Sequence, residues 1–377
     1  MWRVGRALTV TFAAAVLVAG GVFYGLVVVL DFREVDSTAK LDAKTLFDLV
    51  KLSFGVVAGA GALVALVVAY RRQRVDEAGA HREATRLHTE RFSQAVEQLG
   101  SDSPAVQLGG VHALAGLADD APDDSLRQTC VDVLCAYLQL PYTADPGDDP
   151  GRQEEHHRYL ALRKVRHTIL RLIGDHYRRP QGTHRSWQGC DLDLTGLTID
   201  GPIDFSGATF PSGTVTFANT AFSRTRVDFS GATFSGGTVS FTGARFSASD
   251  VSFAGATFSD GTVHFGHARF SDGGVSFHEA MFVGSRVAFD FATFPSNPMS
   301  LGRPMSFLGA LFAGGTVTFT RATFTGTTVH FNGAHFSTGT VTFQDALGPI
   351  PYGLLDSLGT PVPATVTLPD SWLPPTP

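Results

Sequence analysis

Between Ile203 and Ala346 one short phrase recurs twelve times: Val-x-Phe-x-x-Ala-x-Phe, followed by four small or polar residues. Val227-Asp228-Phe229-Ser230-Gly231-Ala232-Thr233-Phe234 is a clean copy. Its first phenylalanine falls at 205, 217, 229, 241, 253, 265, 277 and 289, then at 307, 319, 331 and 343. An amphipathic hairpin sandwich also alternates apolar and polar positions, but it does not hold a rigid count of twelve; a stacked repeat does. The Phe residues lie alternately five and seven apart, as in Phe229, Phe234 and Phe241, so each marks the middle of one flat wall. In an extended strand the side chains at i and i−2 share a face, so each Phe turns inward together with the Val or Ala two residues before it. Stacking then aligns the Phe in columns, each ring burying on the order of 150–250 Å². Outward positions are mostly Ser, Thr, Gly, Asp, His or Arg. A glycine such as Gly231 turns the corner without a Cβ penalty.

This stretch resembles the pentapeptide-repeat family, in which a small residue at i−2 precedes Leu or Phe at i. Ala232-Thr233-Phe234 and Ala256-Thr257-Phe258 match that pattern, while Val at alternate i−2 positions and two extra residues at alternate corners depart from it. The resemblance implies a right-handed quadrilateral β-helix with four walls per coil. Four walls here take 24 residues, so the twelve units predict about six coils. After Phe294 the repeat is interrupted by Pro295 to Pro304. Met299-Ser300-Leu301 falls twelve residues after Val287-Ala288-Phe289 and is read as an extra wall, shifting the Val and Ala columns from there on. The alternative is that 295–304 loops out and the columns continue unshifted.

Ahead of the repeat, residues 7–30 carry no charge, and neither do residues 52–70. A bilayer core of about 30 Å takes roughly 20 apolar residues, so both are expected to be transmembrane helices forming a hairpin. A cleaved signal peptide is the alternative for the first. Arg3 and Arg6 before the first stretch, with Arg71, Arg72 and Arg74 after the second, place both termini in the cytoplasm. Gly21 and Gly25, and Gly55 and Gly59, are small-residue pairs suited to packing of the hairpin on itself or to homo-oligomerisation. The expected localisation is the cell membrane, multi-pass.

From Arg71 to Leu99 the composition is that of a charged helix. Ser103-Pro104 starts another, because serine suits the N-cap and proline the first helical position. Leu126 to Leu140 follow as a third, making a HEAT-like pair. Residues Thr143 to Gly151 read as a linker, and Glu154 to Tyr177 as a helix with Leu162, Val165, Ile169, Leu172 and Ile173 on its apolar stripe. Trp187 is expected to begin a cap over the first coil, and the Pro-rich tail with Tyr352, Leu354 and Trp372 to cover the other end, since an uncapped solenoid exposes its core. The fold class is therefore mixed: a hairpin over 1–74, a helical stalk and helix pair over 75–186, the β-helix over 187–347, and a cap and tail over 348–377. The helical segment, with Val111-His-Ala-Leu-Ala-Gly-Leu117 and Cys135-Ala-Tyr-Leu138, resembles that of actinobacterial membrane-anchored pentapeptide-repeat proteins. That likeness implies architecture and no chemistry.

No nucleophile elbow, P-loop or glycine-rich nucleotide turn appears at a strand-to-helix junction. Cys130, Cys135 and Cys190 form neither a CxxC pair nor an even framework. Asp191-Leu-Asp193 imitates a metal-binding triplet but reads as the entry into the first walls. None of His264, His267, His278, His330 and His335 lies one 24-residue coil above another. No catalytic residue, cofactor or metal is expected. Arg245 and Arg269 fall one coil apart at the same outward position, which makes them candidates for an anionic partner. Nine Lys and Arg against three acids over 152–185 make a basic helix. Its Arg163, Lys164, Arg166 and Arg171 are candidates for anionic lipid, and nucleic acid is not an expected partner.

The leading functional expectation is a non-enzymatic, membrane-tethered scaffold whose rigid rod faces an unknown protein partner in the cytoplasm. The family resemblance implies an alternative, a DNA mimic that binds gyrase. Such mimicry requires a strongly acidic rod, whereas Asp191 to Asp345 hold eleven acids against seven arginines, a net of −4. An enzymatic site at the helical junction would require a reactive Cys130 or Cys190.

Overall fold

A computed structural model describes residues 43–141, 145–147, 149–247, 249–271, 274–295, 305–325 and 329–373, with scattered positions between 17 and 28. The chain divides into two compact units, Met1–Ala84 and Thr85–Pro377.

The first unit contains the beginning of α1 (Ala43–Leu99), an unbroken helix of 57 residues. Apolar side chains stand exposed along this part, Phe47 and Phe54 among them. Among the described residues no helix is long and apolar enough to cross a membrane. This corrects the expected transmembrane hairpin. Absence of charge over 52–70 is a weaker property than apolarity over a bilayer's thickness: the stretch falls short of about 20 residues and is diluted by Ser53, Gly55, Gly59 and Gly61. It also sits inside a helix that carries Lys44, Asp48 and Lys51 before it and Arg71, Arg72 and Arg74 after it. The other expected span, 7–30, lies for the most part outside the described residues.

In the second unit the end of α1 meets α2 (Pro104–Asp119) and α3 (Asp124–Gln139), the last two joined by a short turn. Ser103 is the N-cap of α2 with Pro104 in its first turn, and the Asp123 carboxylate caps α3 by accepting from Leu126 N–H at 2.9 Å. Leu99, Val111, Leu114, Val131 and Leu134 are buried where these helices meet. The fourth helix, α4 (Gln153–Tyr177), buries Val165, Ile169, Leu172 and Ile173, four of the five residues read as its apolar stripe.

From Leu192 onward the chain winds into a four-walled parallel β-solenoid. In one coil the first wall is centred on Phe229, the second on Phe234, the third on Phe241 and the fourth on Phe246. Every one of these rings is buried, as are Val227, Ala232, Val239 and Ala244 two residues before them. Rungs of hydrogen bonds join each coil to the next: Phe229 N–H donates to Ser252 C=O at 2.7 Å and Gly231 N–H to Ala254 C=O at 2.8 Å. The first and fourth walls stack as two six-stranded parallel sheets. The second and third share a ten-stranded sheet, because strands such as Thr233–Ser240 run through the corner between them. At Gly236 in that corner no side chain fits, because a Cβ there would lie 2.2 Å from the Pro211 carbonyl oxygen.

Two expectations about the stack change. Leu192 already pairs with Val215, ahead of the first Phe, and the third wall continues to Val341, giving about seven turns rather than about six. The first coil escapes a search for Phe because Leu and Ile stand in its core. Across the interruption, Phe282 pairs with Phe312, Val287 with Val317 and Phe294 with Phe324, each 30 residues apart instead of 24. The columns therefore continue unshifted, with Met305 between Val275 and Val329 on the first wall, against the shift that an extra wall would bring; Met299-Ser300-Leu301 themselves lie outside the described residues. A spacing of twelve in the sequence was matched there without a Phe to bury, and burial sets register.

Both solenoid ends are covered. At the start, the Tyr177 ring lies 5.8 Å from Phe205 and 5.5 Å from Phe210, and α4 approaches so closely that a Cβ on Gly174 would stand 2.5 Å from the Asp204 carbonyl oxygen. At the far end, Trp372 packs on Phe324 and Phe343 at 5.7 and 5.6 Å, its Nε1 donates to Gly348 C=O at 2.9 Å, and Leu354 is buried. Tyr352 contributes its backbone, which accepts from Phe331 N–H, more than its exposed ring.

Candidate interaction surface

Outside the Phe columns the solenoid offers one row of outward side chains per wall. On the fourth wall, Ala221, Arg245 and Arg269 stand in register on successive strands, followed by Thr293 and Thr323. The companion outward row is Ser223, Ser247, Ser271, Pro295 and Thr325. Among the described residues of strands Ala221–Ser223, Arg245–Ser247 and Arg269–Ser271 there is no carboxylate. Arg245 and Arg269 are both exposed, and among the described residues neither forms an ion pair. Like charges one strand spacing apart, about 4.8 Å, repel weakly in water and leave their donors unsatisfied by the protein.

Along the corner between the third and fourth walls, one residue per coil adopts a left-handed backbone: Asn219, Gly243, His267, Phe291, Arg321 and Asp345, with φ of 57°, 69°, 56°, 60°, 55° and 55°. The His267 and Phe291 rings stack at 4.9 Å with 7° between their planes. The Arg321 guanidinium stands 5.8 Å from the Phe291 ring and 3.7 Å from the Asp345 carboxylate. The equivalent corner after the first wall carries Gly207, Gly231, Gly255, Glu279, Gly309 and Gly333 at φ between 54° and 66°. The sequence singles out Gly at this turn but gives no sign that the same turn is made by His, Phe and Arg two walls later.

The basic helix is bound into the cap. Arg163 donates to Asp200 at 2.7 Å, Arg166 is buried with Nη1 on the Leu138 carbonyl at 2.6 Å, and Arg171 donates to Asp175 at 2.8 Å. Lys164 and Arg171 are exposed. Burial alone would raise the Asp200 carboxyl, but hydrogen bonds from His167 and Arg163, with the guanidinium charge, hold it well below the usual carboxylate range. Asp119, beneath the cap, accepts from Trp187 Nε1 at 3.0 Å and lies 3.2 Å from His176, whose ring stacks on Trp187 at 4.1 Å.

The three cysteines near the helical junction are all held as thiols. Burial pushes the Cys130 thiol up to about 11, Cys135 to about 12 and Cys190 to about 11, which suppresses the nucleophilic thiolate at neutral pH. Asp191 accepts from Thr214 N–H and Asp193 from Thr195 N–H, so both carboxylates serve the first turns. His264 pairs in register with Ala288, His335 with Leu311, and His330 packs beside Tyr352, so the histidines are dispersed over different walls.

Stacked parallel walls of five to seven residues with a Phe at the centre of each define a repeat solenoid whose exposed product is surface. Residues 224–263, within the solenoid, match the family model described as pentapeptide repeats (9 copies). That fold is typically one of structural and interaction proteins. No curated protein and no solved structure matches the chain, so the narrower likeness to actinobacterial membrane-anchored proteins gains no support.

Proposed function

We propose that the chain is a non-enzymatic scaffold whose rigid solenoid presents its fourth wall to a protein partner. The observation that carries this is the pair Arg245 and Arg269, held in register on adjacent strands and, among the described residues, with no carboxylate on those strands and no ion partner. Stacked coils fix the backbone that carries both arginines, so binding orders side chains but no loop, which favours a specific contact. A transmembrane tether forms no part of the proposal. A gyrase-binding DNA mimic calls for an acidic rod, and an arginine-bearing wall runs against it.

The test is to place a photo-crosslinkable residue at Ser252, Thr257, Thr262 and Ser247, one on each wall in turn, and irradiate intact cells. A discrete adduct with another protein from the fourth-wall position is expected. Absence of adducts from every wall, or adducts with the chain itself only, would overturn the scaffold proposal.

A further inference from the structure

The corner between the third and fourth walls contains an internal control. Two corners of every coil make the same left-handed turn. After the first wall it is made by glycine in five of six coils, as the geometry favours. After the third wall it is made by His267, Phe291 and Arg321 on consecutive coils. A bulky side chain at positive φ is strained, and strain of this kind collects where side chains serve a function. The solenoid does not require those residues, because Gly243 makes the turn one coil earlier and Gly196 two coils before that.

What the three side chains build is a ladder along the rod: an imidazole stacked on a phenyl ring, with a guanidinium on its other side. Phe291 is 43 % exposed. Both faces of its ring are taken by its neighbours, so what remains for a partner is the ring edge, which carries the positive end of the aromatic quadrupole. Arg269 follows His267 by two residues, and Arg245 lies in register one coil below it. The ring edge and three guanidinium groups thus surround an apolar centre, with the Asp345 carboxylate beside Arg321 at the far end of the row and Arg245 and Arg269 without a carboxylate on their strands among the described residues. We infer that the ladder of His267, Phe291 and Arg321, with Arg245 and Arg269 beside it, is the docking site for a glutamate- and aspartate-rich segment of a partner protein. Complementary charge selects the acidic segment, and the Phe edge supplies the kind of aromatic anchor on which binding energy concentrates. A single-stranded nucleic acid would need a free aromatic face for its bases, and the stack leaves none on Phe291. The inference rests on the scaffold proposal and names the partner chemistry of its fourth wall.

The test uses the full chain, a fluorescently labelled glutamate-rich peptide, a lysine-rich peptide of the same length and an oligo-dT. The glutamate peptide is expected to bind best, and Phe291→Gly and Arg321→Gln each to weaken it about tenfold. Because Gly already occupies this turn at position 243, Phe291→Gly folds, and its thermal midpoint does not fall below that of the parent chain. A purely structural ladder would give the reverse: a lower midpoint and unchanged peptide binding. Failure of the parent chain to bind the peptide, tighter binding of oligo-dT, or a self-association abolished by Phe291→Gly would each overturn the inference. In cells, heterologous adducts from Thr262 or Thr257 with none from the fourth wall or its corner would remove this site while leaving a scaffold; no adducts from any wall would remove both.

Discussion

Phe253 has a parallel ring 4.8 Å away on each side, Phe229 and Phe277, and meets Phe241 and Phe265 edge-on at 6.0 and 5.6 Å. Strand spacing dictates the first pair of contacts, and the facing wall supplies the second, which suits the ring quadrupole better. Phe253→Ala is therefore expected to cost about 4 kcal/mol, read as a lower denaturant midpoint, because flat walls pinned by rungs on both sides cannot collapse into the gap. Phe253→Leu should cost less than half of that. At this scale the sequence was nearly sufficient: a Phe in a column of period 24 can point only inward. The left-handed His267, Phe291 and Arg321 were not legible, because at an outward corner many side chains satisfy the repeat and only the backbone angle reveals which of them are strained. Arg245 and Arg269 were legible as a pair; that neither forms an ion pair among the described residues depended on the structure.

Among the elements, the caps follow from the sequence in place and the interruption does not. Trp372 was recognisable because a solenoid end must be covered by something large and apolar; at the first coil the ring over Phe205 and Phe210 is that of Tyr177, and Trp187 packs on His176. The basic composition of α4 suggested a lipid-facing helix, but composition does not tell which charges are paired, and Arg163 and Arg166 turn inward to Asp200 and Leu138. The Asp200 carboxyl is depressed in the folded state, so its contribution to stability is present above the ordinary carboxylate range and is lost as pH falls below about 4. Asp200→Asn is expected to cost about 2 kcal/mol at neutral pH and to flatten the acid limb of a pH-stability curve; an unchanged acid limb would show that the pair does not hold the cap. The 30-residue coil offers a second test. Removing six residues from within 296–304 restores the common length of 24, and loop-closure entropy changes little with such a shortening. The deletion is expected to shift stability by less than about 0.5 kcal/mol, as measured by chemical denaturation. Were 299–301 a wall after all, the same deletion would break the ladder and unfold the chain.

For the molecule as a whole, the fold of the second unit was written in its period, while the first unit was misjudged because an uncharged stretch was equated with a membrane span. Periodicity over a hundred residues over-determines a solenoid; a single run of nineteen residues leaves its surroundings undetermined. The capped ends have a consequence for solution behaviour. Trp372→Ala uncovers Phe324 and Phe343, and an open parallel edge invites pairing with another chain. Concentration-dependent self-association is expected from that variant by light scattering, with the parent chain unaffected at the same concentration. Finally, every rung from Leu192 to Val366 lies parallel to the line along which the coils are piled. Tension applied along that line loads one coil's bonds at a time, as in a spring drawn off its last turn. Each turn should pay out about 80 Å of contour length, and one, the coil that takes 30 residues, about 100 Å. A force-extension trace would thus show evenly spaced teeth with a single longer one, marking from outside the molecule which coil takes 30 residues.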